Sequence, residues 1–73
     1  MATDYIATGA VKVIEVIGIS EKGFEDAVAQ AVAKAAETVQ GITGVEVISW
    51  TARVRDGRIV QYHADLKLAF GVK

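Results

Sequence analysis

The sequence contains no cysteine and a single histidine, and these two shortages limit the chemistry open to it. Without cysteine there are no disulfides, no thiolate metal sites and no thiol catalysis. One histidine is too few for a zinc site built on imidazoles. The chain also lacks a nucleophile–base pair and any catalytic motif. We therefore predict neither catalytic nor metal-ligating residues, and we do not expect an enzyme.

Strong charge of one sign and long apolar runs are lacking as well. The formal net charge is −1, and the basic residues form no stripe of the kind that a nucleic-acid-binding protein shows. No apolar run is long enough to span a bilayer. The first residues have neither the basic nor the apolar region of a signal peptide. We therefore expect no nucleic-acid partner, no membrane association and a cytoplasmic location.

The chain is also short for a domain that folds alone. Its 73 residues make one domain, and a chain of this size buries only about 60% of its unfolded surface. Small domains usually need a further means of stabilisation, and disulfides are excluded here. The hydrophobic fraction of 52% is more than so small a core can hide. These observations together predict an obligate homo-oligomer.

A β-hairpin over residues 45–70 organises the sequence. Asp56-Gly57 lies between two alternating apolar runs, and this dipeptide is typical of a type I′ turn, which needs positive φ at both central residues. Such a turn predicts the register of the hairpin. The expected opposite pairs are Arg55–Arg58, Val54–Ile59, Trp50–His63, Ile48–Asp65 and Glu46–Lys67.

This register divides the hairpin into two faces. The expected core face carries Val45, Val47, Ser49 and Thr51 opposite Leu68, Leu66, Ala64 and Tyr62. The other face is mixed, because it combines charged residues with large apolar ones; it carries Glu46, Ile48, Trp50, Ala52 and Val54 opposite Lys67, Asp65, His63, Gln61 and Ile59. A lone domain would expose this mixed face to water, so we expect another molecule to cover it.

The remainder of the chain predicts the rest of the fold. Residues 1–9 are expected to form an N-terminal arm, Val11–Ile17 a strand, and Phe24–Val39 a helix with an alanine-rich apolar stripe. A right-handed crossover leaves room for the last strand between the first two. The sequence therefore predicts an α+β protomer of order β-α-β-β, with a three-stranded antiparallel sheet of order 1-3-2 and one helix on one face.

Several segments of the chain resemble one known family, the dodecins. They are Val11–Ser20, the helix start Phe24–Ala27, Val45–Val47, Asp56-Gly57 and Leu66–Phe70. The resemblance covers residues 11–70 and implies a single dodecin-like domain over residues 10–73. It also implies a hollow homododecamer with 23 symmetry that binds flavins (riboflavin, FMN or FAD) and, in some members, coenzyme A. Dodecins store and buffer flavin and are not enzymes.

The resemblance also indicates where a ligand would bind. The tryptophan that stacks on the flavin ring in the family falls on Gly44, the glutamine that hydrogen-bonds the ring falls on His63, and a basic residue near the C-terminus is replaced by Gly71. The sequence therefore predicts an altered flavin site. The candidate ligand-binding residues are Gly44, Trp50, Gln61 and His63.

Two interpretations of Trp50 remain open. Together with His63 it would make a displaced aromatic site for a planar ligand across a subunit contact. Alternatively it fills the subunit interface, where tryptophan is enriched.

The charged residues of the mixed face also have two interpretations. In the first, salt bridges between protomers are formed by Glu15, Glu46, Asp65 and Lys67. In the second, carboxylates that are repeated about a symmetry axis hold an ion. Two functions follow from these alternatives. The first is a flavin-binding storage protein with an altered site, and the second is a flavin-free shell with a structural, ion-binding or small-ligand-binding role.

Arg55 and Arg58 face each other at the tip of the expected hairpin. Like charges directly opposite one another are unfavourable. Both side chains are therefore expected to point to water or to an anion such as a phosphate of FMN or coenzyme A.

Overall fold

The computed structural model describes residues 8–72, which form one helix and three long strands. In chain order the elements are β1 (Ala10–Ser20), α1 (Phe24–Ala36), β2 (Ile42–Arg55) and β3 (Arg58–Val72). The strands form one antiparallel sheet of order β1-β3-β2. The predicted β-α-β-β fold is thereby confirmed. The expected N-terminal arm lies outside the described residues except for its last two.

The core lies between α1 and the central strand. Its fully buried large side chains are Leu66 and Leu68 of β3, which pack under Ala27 and Ala31 of α1. Small residues on the helix let the helix axis approach the sheet closely. The apolar stripe predicted for the helix therefore packs on the sheet as expected, although α1 ends at Ala36 and not at Val39.

Gly18 is the point of closest approach between helix and sheet. A Cβ atom at Gly18 would lie 1.9 Å from the carbonyl oxygen of Ala27 and 2.8 Å from the Cβ of Ala31. Only a residue without a side chain fits there. The strand predicted over Val11–Ile17 is longer than expected, because β1 begins at Ala10 and continues past Gly18 to Ser20.

The turn of the hairpin has the predicted geometry. Asp56 and Gly57 have φ angles of 53° and 76°, so both lie in the left-handed region that a type I′ turn requires. The predicted pairs nearest the turn, Arg55–Arg58 and Val54–Ile59, are confirmed, and so is the distant pair Glu46–Lys67.

The middle of the hairpin departs from the predicted register. Trp50 lies opposite Ala64 and not His63, while His63 lies opposite Thr51, and Asp65 lies opposite Ser49 and not Ile48. The cause is a pair of irregularities, one between Arg53 and Val54 and one between Val47 and Ser49. Each shifts the pairing by one residue, and a shift of one residue moves side chains to the other face.

The register shift changes the two faces of the sheet. Trp50 and Ala52, not Ser49 and Thr51, share the helix side of the sheet with Ala64 and Tyr62. The opposite side, which we call the bare face, carries no helix. It consists of Val11, Val13, Glu15, Ile17 and Ile19 of β1, Gln61, His63, Asp65, Lys67 and Ala69 of β3, and Gly44, Glu46, Ser49, Thr51 and Arg53 of β2.

The hairpin is longer than the rest of the sheet. β1 ends at the pair Ser20–Tyr62, so residues 53–61 of the hairpin have no third strand beside them. We call this part the hairpin extension. It gives the protomer an elongated shape of 51 × 18 × 18 Å, and it exposes Val54 and Ile59.

Candidate functional site

The bare face has the apolar character of a buried surface. Val11, Val13, Ile17 and Ile19 of β1 all point to it and are each at least half exposed. Large apolar patches on a soluble protein usually mark interaction sites. The bare face therefore has the character of an interaction surface.

Two predicted ligand-binding residues meet on the bare face. Nε2 of His63 donates a hydrogen bond to Oε1 of Gln61 at 2.6 Å, and both side chains are half-buried. They are brought together because residues two apart in a strand point to the same side. In the neutral tautomer that carries its proton on Nε2, His63 keeps Nδ1 as an acceptor, while the amide nitrogen of Gln61 remains a donor. The pair thus presents one donor and one acceptor to a ligand.

Gly44 lies elsewhere on the same face. It pairs with Ala69, six residues from His63 along β3, which corresponds to about 20 Å along a strand. It opens a cleft of about 500 Å³ lined by Val13, Gly44, Val45, Glu46, Lys67 and Ala69. A single protomer therefore does not bring Gly44 and His63 close enough to contact the same ligand ring. A site that uses both residues has to be completed by a second copy.

Trp50 lies on the opposite side of the sheet from His63 and Gly44. It packs edge-to-face on Phe24 of α1, with ring centroids 5.0 Å apart and planes at 71°. Phe24 makes a similar contact with Tyr62 at 4.9 Å. The structure thus does not place Trp50 beside His63, because the register shift moved it to the helix side. The aromatic cluster of Phe24, Trp50 and Tyr62 was missed by the sequence reasoning, although an aromatic residue at the helix start gave a signal for it.

An acidic pair lies in the middle of the bare face. Glu15 pairs with Lys67, and Asp65 is two residues from Lys67 on the same side of β3. A hydrogen bond with Asp65, followed by the negative charge of that neighbour, raises the pKa of Glu15, while the ammonium group of Lys67 opposes the change. Oδ1 of Asp65 is buried and has no hydrogen-bond donor among residues 8–72. The two carboxyl groups are therefore short of positive partners.

A single protomer does not supply a full set of metal ligands. Within residues 8–72 no three histidine, aspartate or glutamate side chains converge. The same part of the chain has no helix with the length and apolarity needed to cross a membrane.

The arrangement of these features defines a class of protein. It is a small protomer with a helix on one side of a three-stranded sheet and ligand-type residues on an uncovered apolar side. The family model for dodecin matches residues 10–73, and the chain belongs to the dodecin family. This is a family of small binding and storage proteins that take flavins or other small ligands.

Solved structures agree with this assignment. The chain is 29% identical to dodecin from Streptomyces coelicolor, with a TM-score of 0.88 over 93% of this chain and 97% of that one. A variant of the Thermus thermophilus dodecin is 26% identical, with a TM-score of 0.84 over 88% and 94%. A calcium dodecin from Mycobacterium tuberculosis, described as calcium-chelating, is 33% identical, with a TM-score of 0.77 over 89% and 93%. Comparison with curated proteins gives no match.

Proposed function

We propose that the protein is a homododecameric flavin-binding and storage protein in which the bare face closes the assembly and holds the ligand between copies. The observation that carries the proposal is the hydrogen-bonded His63–Gln61 pair on an uncovered apolar face. The pyrimidine part of a flavin ring has an N–H flanked by carbonyl oxygens. Nδ1 of His63 accepts from such an N–H, and the Gln61 amide donates to such a carbonyl.

The cleft at Gly44 supplies the second half of this composite site. Gly44 and Ala69 form a small-residue floor beside Val13, against which a flat ring lies without an indole beneath it. Because Gly44 and His63 are about 20 Å apart in one protomer, the two halves come from different copies. Ligand binding and assembly are therefore linked, and a ligand that binds only the assembled form stabilises it by mass action.

The variant Gly44→Trp tests this site. A Cβ atom at Gly44 would lie 3.6 Å from the Cβ of Ala69, which is an ordinary contact, so the first atom of a side chain fits there. Stacking on an aromatic ring contributes about 1–3 kcal/mol per stacked base. We expect quenching of riboflavin fluorescence to show binding by the wild type and affinity at least about tenfold higher in Gly44→Trp.

The matched control is Gly44→Ala, which adds the Cβ atom without a ring and is expected to leave the affinity close to wild type. If the wild type leaves riboflavin fluorescence unchanged and Gly44→Trp does the same, flavin is not the ligand of this face.

A second function is favoured by the acidic pair. We infer that Glu15 and Asp65, repeated in several copies of the chain, hold a hard cation such as calcium, whose ligands are carboxylate oxygens. The buried, donor-free oxygen of Asp65 supports this, as does the likeness to a calcium-chelating dodecin. A cation would add positive charge to a site where one ammonium group, that of Lys67, faces two carboxyl groups.

The variant Glu15→Gln distinguishes this function. The raised pKa of Glu15 means that its ionisation disfavours the folded state. Its contribution to the free energy of unfolding falls as pH rises from the unfolded value near 4.5 through the higher folded value, and then stays constant. We expect Glu15→Gln to have a higher Tm than wild type at pH 7 without calcium. We also expect calcium to raise the Tm of the wild type only.

Glu21→Gln is the control for this experiment, because Glu21 is exposed and lies after the end of β1. It should keep the calcium response of the wild type. An equal calcium response in Glu15→Gln would show that the cation does not bind at the acidic pair.

A further inference from the structure

The hairpin extension is a cationic, partly apolar arm. All three arginines of the chain, Arg53, Arg55 and Arg58, lie within it, beside the single carboxylate Asp56. The only ion pair within residues 8–72 joins Lys34 to Glu37, so the structure gives these guanidinium groups no acidic partner. Arg55 and Arg58 lie directly opposite each other, which is unfavourable for like charges. The arm therefore lacks an anion in the isolated protomer.

The arm also exposes apolar side chains to water. Val54 and Ile59 are 62% and 51% exposed, and the extension has only two strands. A two-stranded ribbon is at best marginally stable in water. A surface that combined apolar contact with negative charge would satisfy both needs.

Such a surface lies at the start of α1. An open cleft of about 710 Å³ is lined by Lys22, Gly23, Phe24, Glu25, Asp26 and Trp50. Its two carboxylates outnumber its one ammonium group, and Trp50 is 48% exposed in it. A planar guanidinium group both stacks on an aromatic face and pairs with carboxylates.

The floor of this cleft is held in place. Oγ of Ser20, at the end of β1, donates to Oδ2 of Asp26 at 2.6 Å, and it accepts from the backbone N–H of Lys22 at 2.9 Å. Ser20 is buried. These bonds fix the connection between β1 and α1, so the cleft is formed before anything enters it, while the carboxylate of Glu25 stays exposed.

The arm of one copy is not placed to fill its own cleft. Arg55 is five residues beyond Trp50 along β2, a span of about 17 Å, and the extension continues away from β1 and from the cleft. An occupant of the cleft with this chemistry has to come from another molecule. The hairpin extension of a second copy has both the charge and the apolar side chains required.

We propose that the hairpin extension of one copy docks in the cleft of a second copy, where Arg55 stacks on Trp50 and pairs with Glu25. This contact rests on the proposed self-association and specifies one of the surfaces that produce it. The cleft lies on the helix side of the sheet, so the receiving half of this contact is separate from the bare face. One molecule thereby contributes two different surfaces to the assembly, and the proposed 23 symmetry, which combines two-fold and three-fold axes, needs more than one kind of contact.

A charge exchange tests the contact. Arg55→Glu and Glu25→Arg are each expected to raise the protein concentration at which the assembly half-dissociates by at least about tenfold. The double variant should return that concentration close to the wild-type value, because the opposite charges are restored in the reverse order. The measurements are native mass against concentration and the emission maximum of Trp50, which should shift to the red when the indole loses its cover.

Two further variants keep this test interpretable. Arg55→Glu replaces a like-charge pair with an opposite-charge pair opposite Arg58, so the protomer is not expected to lose stability; if its circular dichroism nevertheless shows unfolding, Arg55→Gln takes its place. Glu37→Arg makes the same charge change at the far end of α1 and should leave assembly unchanged. An equal effect of Glu37→Arg would reduce the result to net charge and overturn the proposal.

The outcomes separate this contact from the proposed function. A wild type that assembles while both single variants assemble equally well overturns the docking contact and leaves self-association standing. A double variant no better than either single variant also overturns it. A wild type that stays monomeric at all concentrations removes self-association, and the contact with it.

Discussion

Gly18→Ala is expected to destabilise the protein by about 3 kcal/mol or more, the upper end of the cost of overpacking a core. The added Cβ atom would meet the backbone carbonyl oxygen of Ala27 at 1.9 Å. A backbone atom has no rotamer to change, so relief requires α1 to move away from the sheet. That movement would separate Ala27 and Ala31 from Leu66 and Leu68. Urea denaturation at one fixed protein concentration measures the loss.

Gly23→Ala is the matched control for this variant. A Cβ atom at Gly23 meets nothing within 4 Å, and its φ of 165° is extended backbone that any residue adopts. Gly23 is the N-cap of α1, where glycine is preferred to alanine, so we expect a loss of about 1 kcal/mol or less, well below that of Gly18→Ala. If Gly18→Ala were as stable as Gly23→Ala, the helix would not lie as close to β1 as the structure places it.

Leu66→Ala has the second large effect. Leu66 is fully buried in the middle of β3, and only Leu68 among the large side chains of residues 8–72 is buried as completely. Removing buried methyl groups of leucine costs about 2–5 kcal/mol. A small domain has a free energy of unfolding of only a few kcal/mol. We therefore expect the urea midpoint of Leu66→Ala, followed by circular dichroism, to fall far below that of the wild type.

Leu66→Met provides the comparison because it nearly conserves volume. Such an exchange usually costs less than about 1.5 kcal/mol. A loss for Leu66→Met as large as that for Leu66→Ala would mean that side-chain volume at this position does not limit stability.

The sequence predicted the fold well where local signals agreed with the tertiary structure. The Asp56-Gly57 turn, the alanine-rich helix and the order of the strands each came from residues that are neighbours in the chain. The same signals also predicted the pairs at both ends of the hairpin. The hairpin turn alone does not reveal a bulge several residues away, because a bulge depends on what the strand packs against.

Trp50 shows what the sequence did not determine. Alternation counted from the turn assigned it to the mixed face beside His63. In the structure the two register shifts turn it to the helix side, where Phe24 gives it an aromatic contact. An indole gains more from that contact than Ser49 would in its place. Of the predicted ligand-binding residues, only His63 and Gln61 are in contact, because a two-residue spacing in one strand is a purely local relation.

The bare face and the hairpin extension differ in chemical character. The bare face is apolar with a charged middle, which suits burial between copies, and the hairpin extension is cationic and exposed. A protomer that leaves both in water would be a poor monomer for its size, since a chain this short already buries little surface. Assembly is therefore the claim on which the ligand sites and the docking contact depend.

Native mass spectrometry of the purified wild-type protein, with any bound ligand retained, tests this claim most directly. We expect a species of twelve chains whose mass exceeds that of the chains alone by the mass of the bound ligands. A folded single chain that persists at micromolar concentration, with Trp50 emitting like an indole in water, would contradict it.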